Sequence, residues 1–273
     1  MEEQEVVAAA YDAGVEDEFQ RLTNIPFGEV EYELTTELLG RFIQPGSSVA
    51  DIGCGPGRYA EHLLNRGCRV GAVDLSGRSL QVFLKRVPPA FSGSILFSEK
   101  GCATNLHFIE DKSFDAVLLM GPLYHLSQEN DRQQAVKECL RILKPGGHIF
   151  ATFVSPYPKL KPMLELRSED LMDSSYMLQF SEPATTMTMF KGYELPEVRY
   201  WPAAAKMLMQ SIGFTTVQVR NLDGICQYAK RHCEQTDVTG KSVAAVLDVM
   251  RKTCDHPDLI GMTTQYLYVG RKN

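Results

Sequence analysis

The nine residues Val49-Ala50-Asp51-Ile52-Gly53-Cys54-Gly55-Pro56-Gly57 constrain this chain more than any other stretch. An apolar run of strand character passes into a turn of three alternating glycines, and a helical pattern follows from about Arg58 to Asn65. Glycines reach backbone angles closed to other residues and leave no Cβ in the way of a ligand. The helix behind them offers unpaired N–H groups and the positive end of its dipole. Asp51 adds a carboxylate at the end of the strand, facing the same crevice. The dinucleotide fingerprint calls for G-x-G-x-x-G, whereas the spacing here is G-x-G-x-G. A pyrophosphate would also be repelled by Asp51. An acid at the mouth suits a ligand with an ammonium group, so the turn points to S-adenosylmethionine rather than NAD.

A second acid stands seventeen residues beyond Gly57, at the end of the short apolar run Arg69-Val70-Gly71-Ala72-Val73-Asp74. Open α/β sheets bind ligands outside the carboxyl ends of their strands. A carboxylate there accepts hydrogen bonds from the two hydroxyls of a ribose. The competing role for Asp74 is to cap the helix that starts near Ser76, a task Ser76 can perform itself. Ribose is common to NAD and S-adenosylmethionine, so Asp74 alone does not separate them.

Four motifs in order, Asp51-x-Gly53-x-Gly55-x-Gly57, Asp74, Phe114-Asp115-Ala116-Val117-Leu118-Leu119 and Leu143-Lys144-Pro145-Gly146-Gly147, resemble the class I S-adenosylmethionine-dependent methyltransferases across residues 45–155. Gly121-Pro122-Leu123-Tyr124-His125-Leu126 and the terminal Gln265-Tyr266-Leu267-Tyr268-Val269-Gly270-Arg271-Lys272 are similar to a group of that family acting on small molecules. The resemblance implies an α/β, Rossmann-like fold: a seven-stranded, mostly parallel sheet with an antiparallel last strand and helices on both faces. It implies S-adenosylmethionine as cofactor and S-adenosylhomocysteine as product. Asp51, Gly53, Gly55, Gly57, Asp74 and Gly121 are then cofactor-binding residues, with Leu75 an apolar cover for the adenine. Family members often place an acid after the third strand to receive the adenine amino group; Gly101-Cys102-Ala103 stands there instead. Cys102 does not replace a carboxylate, the Ala103 backbone can still donate to the ring, and either a nearby acid such as Glu99 substitutes or affinity is somewhat lower. Tyr11 and Arg21 match a segment that covers the cofactor in similar enzymes, where an aromatic ring beside a sulfonium gains a cation–π attraction.

Composition agrees with this reading. The chain has 273 residues, enough for one α/β domain with additions. A net charge of −6 opposes nucleic-acid binding, which calls for basic patches. No apolar run approaches the roughly 20 residues needed to cross a bilayer, and the acidic start Met1-Glu2-Glu3-Gln4-Glu5 lacks the basic opening of a signal peptide. The expectation is a cytoplasmic protein without nucleic-acid or membrane partners, monomeric or homodimeric. Seven cysteines without a C-x-x-C pair read as reduced thiols, and no metal site is expected.

The pattern along the chain divides it into four parts. Residues 1–44 read as a helical cap, with Leu34, Leu38, Leu39 and Phe42 on one face of its second helix. Residues 45–154 form the cofactor-binding core, with strands expected at 48–52, 69–73, 94–98, 115–120 and 148–154 and a helix at 129–142 closed by Lys144-Pro145-Gly146-Gly147. Residues 155–200 break the alternation with five prolines and with Met163, Met172, Met177, Met187 and Met189. So long an insertion is expected to be a helical lid or binding element over the acceptor site, its methionines adapting to an apolar ligand or packing a small subdomain. Residues 201–273 complete the sheet with a helix at 202–212, a strand at 215–220, helical stretches at 224–234 and 240–254, and a strand at 264–270. Trp201, the sole tryptophan, is expected to line the acceptor pocket or anchor the lid.

Methyl transfer from a sulfonium asks mainly for alignment of donor and nucleophile; a base matters only if the acceptor must lose a proton. Tyr124 and His125 follow the fourth strand, with His125 the candidate base and Tyr124 a shaper of the acceptor pocket. Gly121-Pro122-Leu123-Tyr124 differs from the Asn/Asp-Pro-Pro-Tyr signature of nucleic-acid amino methyltransferases, so the expected substrate is a small-molecule oxygen, nitrogen or sulfur nucleophile. The alternatives are a non-catalytic S-adenosylmethionine binder and an NAD-dependent oxidoreductase.

Overall fold

The computed structural model describes residues 3–23, 26–157, 183–224 and 240–273. In chain order the elements are α1 (Glu3–Ala13), α2 (Val15–Arg21), α3 (Pro26–Phe42), β1 (Ser48–Ile52), α4 (Arg58–Asn65), β2 (Arg69–Asp74), α5 (Gly77–Arg86), β3 (Ile95–Lys100), β4 (Phe114–Leu119), α6 (Pro122–His125), α7 (Glu129–Ile142) and β5 (Leu143–Val154). They continue with β6 (Ala184–Phe190), β7 (Tyr193–Arg199), α8 (Pro202–Ile212), β8 (Phe214–Asn221), α9 (Gly240–Thr253) and β9 (Gln265–Lys272). The helical stretch expected at 224–234 falls almost wholly outside the described residues, as do Cys226 and Cys233; the five cysteines within them are free thiols. No described helix is long and apolar enough to cross a membrane.

Seven strands form the expected sheet, in the order β3-β2-β1-β4-β5-β9-β8. β1 to β5 pair in parallel, and β9 lies antiparallel between β5 and β8. β1 is buried at all five positions, as befits a central strand covered on both faces. Its alternate residues enter two cores. Ala50 and Ile52 pack with Val117, Leu119 and the α7 residues Ala135, Val136 and Cys139. Val49 packs with Ala116, Leu118 and the helix residues Leu34, Leu38, Ala60 and Leu63. The Lys144-Pro145-Gly146-Gly147 stop lies in the opening of β5, where the β4 register jumps from Phe114↔Leu143 to Ala116↔His148.

The insertion differs from expectation. Its residues 158–182 are not described, but 184–199 form an antiparallel hairpin that adds two strands to the sheet, with no helical lid in this part. Lys191 and Gly192 have φ of 52° and 82° and join Phe190 to Tyr193 in a two-residue turn, whose double left-handed backbone matches strand twist. Along β6, Thr185, Met187 and Met189 are exposed and alternate with half-buried Thr186, Thr188 and Phe190. Met187 and Met189 are 50% and 68% exposed among the described residues and are not part of the lining of the candidate active-site cavity. Pro196 is tolerated in β7, whose pairing on that side is limited to Val154↔Arg199. That contact lies past Ala151, the last β5 residue paired with β4, so the hairpin enters beside the segment that leaves β4.

Candidate active site

A cavity opens at the carboxyl ends of β1, β2 and β4, the edge at which open α/β sheets bind ligands. Its floor is the glycine turn. Gly53 has φ 77°, and a Cβ there would lie 2.5 Å from Pro122 Cγ, so the glycine lets the segment after β4 close onto the turn. Gly57 caps α4 with φ 87°, and its would-be Cβ meets Phe83 Cδ2 at 2.2 Å. Gly53 and Gly55 line the cavity; Gly57 does not, and serves the packing of α4 against α5.

Two carboxylates face this floor. Asp51 is buried, and its Oδ2 has no hydrogen-bond partner. Burial first, and then the charge of Asp74, push its carboxyl up to about 7. Asp74 accepts from the Gly55 N–H through Oδ2 and from the Ser76 N–H through Oδ1, both at 2.7 Å. Burial raises it to about 6 against the pull of those two bonds. Capping of α5 falls to Ser76, whose Oγ accepts from the Ser79 N–H at 2.9 Å. Ser76 also donates to Asp12, which accepts from the Arg78 N–H too, so α1 is docked onto the start of α5.

The walls bring in further residues named from the sequence. Leu75, Cys102, Ala103 and Gly121 line the cavity, as do Tyr11, Arg21, Tyr124 and His125. Cys102 Sγ accepts from Thr104 Oγ1 at 3.1 Å. Glu99 sits exposed on β3 and is not part of the lining, so it does not stand in for the missing adenine acid. Trp201 begins α8 and is likewise absent from the lining.

Helix α1 forms a roof, presenting Gln4, Val7, Ala8 and Tyr11 inward at the three- and four-residue spacing of one helical face. The hairpin holds the roof down. Phe190 packs on Tyr11 with ring centroids 5.3 Å apart, and Lys191 pairs with Asp17. His125 joins roof to hairpin: Nε2 lies 2.8 Å from Tyr11 Oη and Nδ1 lies 2.9 Å from the Pro196 carbonyl. A carbonyl only accepts, so Nδ1 carries the proton and Nε2 accepts from the Tyr11 hydroxyl. Burial holds His125 below its ordinary range, outweighing the Pro196 bond and the charge of Glu3. Burial likewise raises Tyr11 and Tyr124.

Several contributors were not found by sequence reasoning. Glu18 and Glu31 are two of them, accepting from Arg21 Nε at 3.0 Å and from Arg21 Nη1 at 2.8 Å. Arg58 lies over the Phe19 ring at 4.6 Å and, with Tyr59, lines the cavity beside them. Buried Arg132 bonds the Leu126 and Ser127 carbonyls, both at 2.7 Å, and Tyr200 Oη at 2.6 Å, which fixes the segment carrying His125. Only the spacing of the α1 face was readable in advance; the others are brought together by chain crossings.

Residues 50–151 match the family model described as Methyltransferase domain. A demethylmenaquinone methyltransferase of Renibacterium salmoninarum is 30% identical over 182 residues, which is 66% of this chain and 71% of that protein. The chain belongs to the class I S-adenosylmethionine-dependent methyltransferases. Relatedness elsewhere is partial: a human protein with the name of a tRNA methyltransferase is 34% identical over 39% of this chain but only 21% of its own length. Among solved structures, the 1,6-didemethyltoxoflavin-N1-methyltransferase of Burkholderia thailandensis, with bound S-adenosylhomocysteine, aligns with a TM-score of 0.57 at 15% identity. That alignment covers 98% of this methyltransferase and 88% of that chain, and at such identity it speaks for the fold. The cofactor of this methyltransferase is S-adenosylmethionine.

Proposed function

We propose that this methyltransferase transfers the methyl group to an oxygen, nitrogen or sulfur atom of a small molecule. The observation that carries the reading is the α1 roof: Gln4, Val7, Ala8 and Tyr11 line the same cavity as the glycine turn and as Tyr124 and His125. A space so covered suits a compact acceptor better than a base within a polymer. The net charge of −6 also argues against a polyanion. A relative matched over 71% of its length is named for demethylmenaquinone.

In this reading residues 45–154 hold the cofactor, residues 1–44 cover it, the hairpin 184–199 braces that cover, and residues 201–273 complete the sheet. The site fits S-adenosylmethionine on its own chemistry. The unpartnered Oδ2 of Asp51 is an acceptor for an ammonium donor. The turn at Gly53 and Gly55 leaves room for close backbone approach. Asp74 retains lone pairs for ribose hydroxyls, Leu75, Cys102 and Ala103 enclose the adenine, and Gly121, the aromatic ring of Tyr11 and Arg21 complete the cofactor contacts. The cofactor supplies an activated methyl group on sulfur; the residues of the chain align the acceptor and exclude water. Tyr124 and His125 stand where the acceptor enters. The test is to supply S-adenosylmethionine with a panel of small hydroxyl, amine and thiol compounds and to measure S-adenosylhomocysteine by mass spectrometry. Acceptor-dependent product is the expected result. Methylation of RNA alone would refute the reading.

A further inference from the structure

His125 is the conspicuous candidate base, yet both its ring nitrogens are engaged, one by Tyr11 and one by the Pro196 carbonyl. An acceptor therefore does not reach the imidazole directly while the roof is down. Tyr11 lines the cavity as well, and its hydroxyl is the group through which the imidazole is reached. It donates its proton to His125 Nε2, and its oxygen lone pairs are left free to receive another. Because Pro196 O holds the proton on Nδ1, the Nε2 lone pair always faces Tyr11.

Resting on the small-molecule reading above, we propose that the acceptor is a hydroxyl compound whose proton leaves through Tyr11 to His125, with Tyr11 the catalytic residue that touches the acceptor and His125 the positioning residue behind it. The bond from the acceptor oxygen to the methyl carbon forms as the sulfur–methyl bond breaks, its electron pair remaining on sulfur. The acceptor proton passes to Tyr11 Oη and the Tyr11 proton to Nε2. The resulting imidazolium, still bonded to Pro196 O, later releases one proton to water. Such a relay serves a hydroxyl in particular. Methylation places positive charge on the oxygen, so its proton becomes strongly acidic during the reaction even toward a weak base. A neutral amine need not lose a proton to attack. A thiol, with an ordinary pKa near about 8.5, ionises without help.

The buried, neutral imidazole is suited to receive that proton: burial keeps it unprotonated at neutral pH. The raised pKa of Tyr11 means that it passes a proton on rather than waiting as tyrosinate. Charged and titratable groups acting on the pair are Glu3 on α1, Glu18 and Arg21 on α2, Asp74 at the end of β2 and Tyr124 beside His125, with Glu31 on α3 and Glu197 on β7 acting in turn on Tyr124.

Two measurements test the relay. The first needs no turnover: nitrogen NMR of the His125 ring in the protein saturated with S-adenosylhomocysteine. The Nδ1–H tautomer at neutral pH supports the relay; the Nε2–H tautomer overturns it. The second uses catechol, benzylamine and thiophenol as acceptors. Tyr11→Phe and His125→Gln are expected to lower kcat on catechol by about 100-fold or more, with KM and S-adenosylhomocysteine affinity changed less than about threefold. Their remaining rate should climb with pH as catechol itself ionises. The His125→Gln variant keeps an acceptor for the Tyr11 hydroxyl but no titrating group, which separates proton transfer from mere support. Full catechol turnover by Tyr11→Phe, or methylation confined to benzylamine or thiophenol, overturns the proposal. No S-adenosylhomocysteine from the wild type with any of the three counts instead against the small-molecule reading, and the ring tautomer then decides the relay by itself.

Discussion

The pH dependence of cofactor binding tests Asp51 most directly. Its carboxyl is raised from 3.8 to about 7 and its Oδ2 has no partner, so at neutral pH it is poised between a buried acid and an anion awaiting a cation. A ligand ammonium selects the ionised form. With a midpoint at about 7, Asp51 is roughly nine-tenths ionised one unit above and one-tenth one unit below, so affinity should fall about tenfold across that interval. Calorimetric titration with S-adenosylhomocysteine at constant salt reads this directly, since the ligand's own ammonium and carboxylate do not titrate there. Proton release should appear as a dependence of the heat on the buffer. Asp51→Asn should bind more weakly and lose the step near 7, keeping only a smaller one near 6 from Asp74. Linkage gives the sign for stability. Both carboxyls are raised in the folded state, so their contribution is fully present below the unfolded value of 3.8 and is lost as pH rises through about 6 to 7. Ligand-free protein should therefore lose stability across this range, and added S-adenosylhomocysteine should raise the melting temperature more above 7 than below it. An affinity that stays flat from one unit above to one unit below 7 would refute the assignment of Asp51 to the ammonium.

Three further outcomes are expected. Asp74→Ala removes the acceptor for the Gly55 and Ser76 N–H groups and for the ribose, and should weaken S-adenosylhomocysteine binding by about tenfold or more; unchanged affinity by calorimetry would exclude the ribose role. Gly57→Ala forces a side chain onto φ 87° and against Phe83, and should cost about 2–4 kcal/mol in urea unfolding; a loss below about half a kcal/mol would show that α5 yields easily. Arg132→Met strips three hydrogen bonds from the segment behind His125 and should cost about 3 kcal/mol, with a lower kcat if any activity is measured; a neutral effect on stability would mean that solvent replaces those bonds.

Local patterns determined much of this protein. The helices Arg58–Asn65, Glu129–Ile142 and Pro202–Ile212 fall where periodicity and stop signals put them, because each carries its apolar stripe and its breakers in one continuous stretch. The floor of the cavity was legible for the same reason: Asp51, Gly53, Gly55 and Asp74 sit at or just past strand ends, and a parallel sheet gathers strand ends on one edge. The hairpin 184–199 was partly readable, in the alternation of Thr186 and Thr188 with Met187 and Met189 and in the Lys191-Gly192 turn, but prolines at 183 and 196 masked it as irregular chain. What no local pattern carries is the meeting of distant segments. Tyr11, His125 and Pro196 are far apart in sequence, and their hydrogen bonds exist because the roof, the segment after β4 and the hairpin converge past the end of one strand. Arg21 finds Glu31 across a chain turn, and Arg132 reaches back to the carbonyls beyond His125. The raised carboxyls of Asp51 and Asp74 likewise follow from burial, which the fold imposes. Backbone preference and periodicity act over a few residues and are written in the chain; proximity and desolvation arise only once the whole molecule has closed around them.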